Sequence, residues 1–169
     1  MRTKEHAHDY RYFPEPDLAP VVVSVDWQNE LKETLPELGL DKKRRFQTQY
    51  GLPEYDAAIL VDEVSVAHYY EEAVGALSAP SQEAYKMVSN WIMTDVLRIM
   101  SDKKIGINDV GLTPQQLASL VSVVADGTIS SKIAKDIFPD LIGSGKTADE
   151  IVKERGLQQN SDAGALQAM

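Results

Sequence analysis

Between residues 81 and 100, Tyr85, Val88, Ile92, Val96 and Ile99 recur every three or four positions, with Trp91 beside them. That spacing places the side chains on one face of an α-helix. A helix with one apolar face has to bury it against other elements, so the chain is committed to helix-on-helix packing with 81–100 at its centre.

The flanking sequence supplies further helices, punctuated by Gly and Pro. Asp26 is placed to cap a first helix, with Trp27, Leu31 and Leu35 at i, i+4 and i+8 and Pro36 ending the run. Asp41 opens a second helix that ends at Gly51, where a left-handed glycine belongs. Pro53 suits the first turn of a third over 54–60, and a fourth covers 64–77. Residues 101–111 (SDKKIGINDVG) read as a loop between two helical domains. Beyond it, Thr113-Pro114-Gln115-Gln116 combines a capping box with Pro at the first helical position, opening a helix to 126, where Gly127 breaks it. A helix over 130–138, a Gly143-Ser144-Gly145 turn and a second capping box, Thr147-Ala148-Asp149-Glu150, follow in order, the last opening a helix to Arg155. Ser161-Asp162 reads as one more N-cap. Met169 then follows without any C-cap, which reads as a truncated chain.

Ahead of the helices, Tyr10-Arg11-Tyr12-Phe13 alternates aromatic and polar residues like a short strand, and Pro14, Pro16 and Pro20 stop any ladder. The expected fold is all-α, in two small helical subdomains (26–106 and 107–169) preceded by a short extended or β segment (1–25).

Composition removes several classes. No apolar run approaches the ~20 residues of a membrane span, and nothing resembles a signal peptide. The absence of cysteine excludes disulfide scaffolds, thiol nucleophiles and Cys-based metal sites, and it fits a reducing cytoplasm. A net charge of -9 argues against a uniformly basic nucleic-acid binder.

Motifs for catalysis are scarce. His6-Ala7-His8-Asp9 sets two imidazoles on one face of a strand, with Asp9 able to add an oxygen. Structural zinc takes four ligands and the next histidine is His68, so an exposed polar strand end is the better reading; a metal hydrolase there would carry stoichiometric metal. Gly143-Ser144-Gly145-Lys146-Thr147 echoes a phosphate loop, but Asp140 stands where the Walker spacing requires glycine, and no parallel strand leads in. There is no GxSxG, HExxH or GxGxxG. The helices at 113–126 and 130–138 also have helix-turn-helix order, a pattern that any small helical bundle contains.

Charge distribution says more than the total. Residues 51–75 hold six acids (Glu54, Asp56, Asp62, Glu63, Glu71, Glu72) and no Lys or Arg. Directly before them stands Lys42-Lys43-Arg44-Arg45; Lys103-Lys104 lies in the loop, and Lys132 and Lys135 on the helix after Gly127. Local basic clusters on an acidic body can contact phosphates, although such runs are more often solubilising faces.

The opening Met1-Arg2-Thr3-Lys4-Glu5-His6-Ala7-His8-Asp9-Tyr10-Arg11-Tyr12-Phe13-Pro14-Glu15-Pro16-Asp17-Leu18 resembles the block that closes the catalytic cradle domain in the family of aspartyl/glutamyl-tRNA amidotransferase B subunits. The likeness continues through Leu35-Pro36-Glu37-Leu38, Tyr50-Gly51-Leu52-Pro53-Glu54-Tyr55-Asp56-Ala57 and Asp126-Gly127-Thr128-Ile129-Ser130-Ser131-Lys132-Ile133-Ala134-Lys135, and so spans the chain.

That resemblance implies a ligase heterotrimer, cytoplasmic and free of membrane, that converts Glu-tRNA(Gln) or Asp-tRNA(Asn) to the amidated product with glutamine and ATP. Its partners would be tRNA, the amidase (A) subunit and the small (C) subunit of the same complex. ATP and Mg2+ would serve the full subunit, on the cradle, and no cofactor this segment. By the same resemblance, 1–25 is the end of the cradle, 26–106 the helical domain and 107–169 part of a YqeY-like tail, both helical parts being associated with tRNA. His8, Asp9, Arg11 and Tyr12 would lie beside the reaction chamber, while the segment alone would not catalyse. Lys42, Lys43, Arg44, Arg45, Lys132 and Lys135 become the candidate tRNA contacts, with recognition by RNA shape more than by base edges. The alternative is an acidic helical protein-interaction module with no nucleic-acid role.

Overall fold

The computed structural model describes Asp17 and residues 21–157. The expected strand at 10–13, the His6–Asp9 cluster, Arg11, Tyr12 and the Ser161-Asp162 cap lie outside them. Helix α1 (Val25–Thr34) begins where the Ser24 hydroxyl accepts the Trp27 N–H at 3.1 Å. The cap is therefore Ser24, two residues earlier than the expected Asp26. Asp26 instead occupies the first turn, where its charge faces the positive end of the helix dipole. The helix ends before Pro36, and none of its residues is buried. It belongs to a unit of its own, Met1–Pro36, and the remaining helices belong to a second unit, Glu37–Met169.

In that second unit, α2 (Gly39–Tyr50) stops at Gly51, whose φ of 66° and N–H bond to the Phe46 carbonyl make a left-handed cap. It is entered through Leu38, with Asp41 in its first turn in place of the expected cap. Helices α3 (Glu54–Asp62) and α4 (Val64–Gly75) follow, and the Ser81 hydroxyl, accepting from the Ala84 N–H, opens α5 (Gln82–Trp91). A single π turn over Ile92–Val96 joins α5 to α6 (Leu97–Lys103). The apolar stripe therefore continues through 81–100 but not as one α-helix: Val88, Ile92 and Val96 are fully buried, and the widened turn buries Asp95 with them.

After a short 3-10 turn (Ile107–Asp109), α7 (Pro114–Ala125) starts from the expected capping box, with Thr113 and Gln116 each bonding the other's backbone N–H. Helix α8 (Ser131–Leu141) runs past its expected end at Phe138 and carries Pro139 inside it. Helix α9 (Ala148–Arg155) opens from the second capping box, Thr147 with Glu150. Among the described residues the fold is all-α.

Buried apolar residues from Phe46 to Val152 form one cluster, so the helices on either side of the 101–111 loop share a core. Phe46, Tyr50, Tyr70 and Tyr85 pack edge-on or tilted, with centroids 5.1–5.4 Å apart. Across the loop, the Tyr69 hydroxyl donates to the Leu112 carbonyl at 3.0 Å, and Trp91 stacks on Phe138 at 5.0 Å. Burial pushes the Tyr69 and Tyr70 phenols well up, so both stay neutral donors.

Candidate functional site

The run Lys42-Lys43-Arg44-Arg45 lies on α2, and each member meets an acid of the same unit. Arg45 forks onto Glu37 (Nε to Oε1 2.7 Å, Nη2 to Oε2 2.6 Å) and reaches Glu71 at 2.5 Å. Lys42 donates to the other Glu71 oxygen at 3.0 Å and retains only 11% side-chain exposure. Lys43 pairs with Glu54 at 2.9 Å, and Arg44 contacts Asp41 at 3.5 Å. Four cations thus face four acids. Arg44, with 69% of its side chain exposed and the longest of these contacts, is the member most open to a ligand.

Protonation follows from this geometry. The Arg45 hydrogen bond holds the Glu37 carboxyl below its ordinary value of 4.5. Burial pushes Glu71 up, but hydrogen bonds from Arg45 and Lys42 outweigh it and the group also ends below 4.5. The bond to Glu37 raises the Arg45 guanidinium in return.

A second basic group forms where α8 crosses the π turn. Lys135 Nζ donates to Asp95 Oδ2 at 2.5 Å while lying 4.3 Å from the centre of the Trp91 ring, so its charge is held between a carboxylate and an aromatic face. Asp95 is only 6% exposed; Thr94 also donates to it at 2.7 Å, and Arg98 approaches its other oxygen at 3.6 Å. Lys132 stands exposed one turn before Lys135. The cluster therefore sets Arg98, Lys132 and Lys135 against buried Asp95 and exposed Asp136. Arg98 carries no signal in the basic runs of the sequence. The Asp95–Arg98 spacing of i, i+3 is the trace that could have found it.

The remaining candidates resolve into structural uses. Lys146 pairs with Glu154 at 2.7 and 2.8 Å, and Thr147 is consumed as the cap of α9, whose Glu150 carboxylate accepts the Thr147 N–H at 2.8 Å. That backbone bond holds the Glu150 carboxyl below its ordinary value. The first N–H groups of α9 are thus already satisfied, unlike those of a phosphate loop. In α8, Ala134, Ile137, Phe138 and Leu141 face the core, leaving Lys132, Lys135 and Asp136 outward. Among the described residues no three His, Asp or Glu side chains gather to hold a metal ion, and no helix is long and apolar enough to cross a membrane.

Comparison with known proteins gives the same account from both ends of the chain. Residues 68–169 match the GatB domain, and residues 1–29 match the GatB/GatE catalytic domain. The B subunit of the aspartyl/glutamyl-tRNA(Asn/Gln) amidotransferase of Thermodesulfovibrio yellowstonii is 48% identical over 166 residues, covering 98% of this chain. The B subunits of the same name from Carboxydothermus hydrogenoformans and Thermotoga maritima are each 46% identical over all 169 residues. In each case the match takes in 34% of the relative's length, so the chain spans about a third of the proteins it resembles. With more than half its residues inside the domain match and near-complete coverage by these relatives, this chain belongs to the GatB family.

Proposed function

We propose that this segment is a tRNA-contacting, non-catalytic part of an amidotransferase B subunit, which acts with an amidase subunit and a small third subunit in the cytoplasm. The names of the relatives carry the reading: the identity of 43–48% across essentially the whole chain supports a shared role. The described residues offer neither a phosphate loop nor a metal cluster. By the family resemblance, ATP and magnesium belong to the cradle, and no step of carboxylate activation is assigned here.

RNA contact falls to cations that outnumber the acids they meet. Arg98 on α6 with Lys132 and Lys135 on α8 fits this best, since Arg98 and Lys135 share the single carboxylate of Asp95, with Arg44 as the contributor from α2. Phosphate contact needs only local positive charge, so a net charge of -9 does not oppose it. Filter binding of the chain to tRNA(Asn) and tRNA(Gln) over a salt series tests the reading. Binding should weaken with salt. The triple replacement Arg98→Ala, Lys132→Ala, Lys135→Ala should lower both affinity and salt slope, each lost contact removing about 0.7–0.9 from the log–log slope. An unchanged slope in the triple variant would sink this assignment.

A further inference from the structure

Two grooves flank the corner where α3 gives way to α4, the smaller apolar and the larger of mixed lining. The smaller, about 330 Å3, is lined by Tyr55, Ala58 and Ile59 of α3 with Val66 and Leu97. The larger, about 650 Å3, sets Val64, Ile107, Leu112 and Pro114 among the polar side chains of Ser65, His68, Glu72, Asn108 and Thr113. Tyr55 and Val64, one in the lining of each groove, are 71% and 69% exposed. Isolated surface hydrophobics need no explanation, but two beside neighbouring grooves, one of them apolar, make a patch of the kind that marks an interaction site.

The charge around the patch identifies the occupant. Of the six acids in 51–75, Glu54 is neutralised by Lys43, Asp56 by Lys86, and Glu71 by Lys42 and Arg45. The other three, Asp62, Glu63 and Glu72, are exposed and make no ion pair among the described residues. Asp62 and Glu63 line the smaller groove, and Glu72 the larger. No Lys or Arg lines either groove. A phosphate backbone meets only repulsion here, whereas an apolar segment bearing Lys or Arg satisfies both the grooves and the rim.

We propose that the α3–α4 corner docks a Lys- or Arg-bearing apolar segment of a protein partner, with apolar side chains in the two grooves and cations on Asp62, Glu63 and Glu72. The inference is independent of the RNA reading, which concerns the opposite charge on other residues.

The test uses the 169-residue chain and three labelled probes: a synthetic amphipathic peptide with Lys on one face and Leu and Phe on the other, the same peptide with Glu for Lys, and a single-stranded RNA oligonucleotide. The Lys peptide should bind, and benzoylphenylalanine in place of Tyr55 should cross-link to it. Affinity should fall about tenfold or more when Asp62, Glu63 and Glu72 are all changed to Lys. It should hold when exposed Glu83, Asp102 and Asp126 are changed to Lys, which alters the net charge equally. Tyr55→Ser with Val64→Ser, which removes apolar anchors and no charge, should also weaken binding; thermal melting checks the fold of every variant. The proposal is overturned by no binding of the Lys peptide, by equal loss in the two charge-reversed variants, by equal binding of the Glu peptide, or by preferential cross-linking of the RNA.

Discussion

The basic run of α2 and the basic pair of α8 look alike as sequence, yet the fold treats them in opposite ways. On α2, acids from the preceding turn, from α3 and from α4 neutralise Lys42, Lys43 and Arg45, leaving Arg44 the most open. On α8, one buried carboxylate holds Lys135 while Arg98 and Lys132 project around it. A run of cations therefore says little about ligand contact until the acids that converge on it from other helices are known. In a chain with 26 acids, that correction is large.

Buried Asp95 carries the largest expected effect. Asp95→Ala strips Lys135, Thr94 and Arg98 of their shared acceptor and leaves two cations side by side. Because Lys135 can turn to water, the loss should be about 2 kcal/mol, less than for a fully enclosed pair, as read by chemical denaturation. Next, Glu71→Ala should cost about 1 kcal/mol, since the group is partly exposed. The same variant should strengthen tRNA binding at low salt by freeing Lys42 and Arg45, and filter binding would detect it. If tRNA affinity stays flat, internal neutralisation is not what keeps α2 from the ligand.

Acid gives a third view of the same clip. Glu37 and Glu71 titrate below 4.5 in the fold, so on acidification the unfolded chain takes up protons first. Their contribution is complete above the ordinary carboxylate value and is lost as pH falls through the lower folded values. The melting temperature should therefore drop between about pH 5 and pH 3, and drop less in a Glu37→Gln, Glu71→Gln variant. The smallest effect on stability belongs to Lys132→Ala, within about 0.5 kcal/mol because the side chain is exposed, while its tRNA affinity falls.

Local signals in the sequence reached a long way. Both capping boxes and the glycine stop of α2 stand where their patterns put them, because each is a contact between residues three to six apart. The cap of α1 shows how narrow such signals are: Ser24 and Asp26 both suit an N-cap, and the hydroxyl that accepts the Trp27 N–H decided between them. The end of α8, expected at Phe138, lies beyond Pro139. Proline ends helices as a rule, yet packing of Ile137, Phe138 and Leu141 against the core carries α8 past it. The π turn was also hidden, since an apolar repeat of three and four tolerates one widened turn without changing its appearance.

By itself, the sequence determined the helical class, most helix ends and, through its long matched blocks, the family. These rest on residues that are neighbours along the chain or on patterns carried whole from one relative to another. Only the tertiary structure decided which charges remain available. Lys42 and Glu71 lie 29 residues apart, Lys86 and Asp56 30, and Asp95 and Lys135 40. No local spacing rule reaches across such distances, and hydrophobic packing of the helices fixes which side chains meet. The unpaired acids at the α3–α4 corner and the outward cations of α8 are what that packing leaves over.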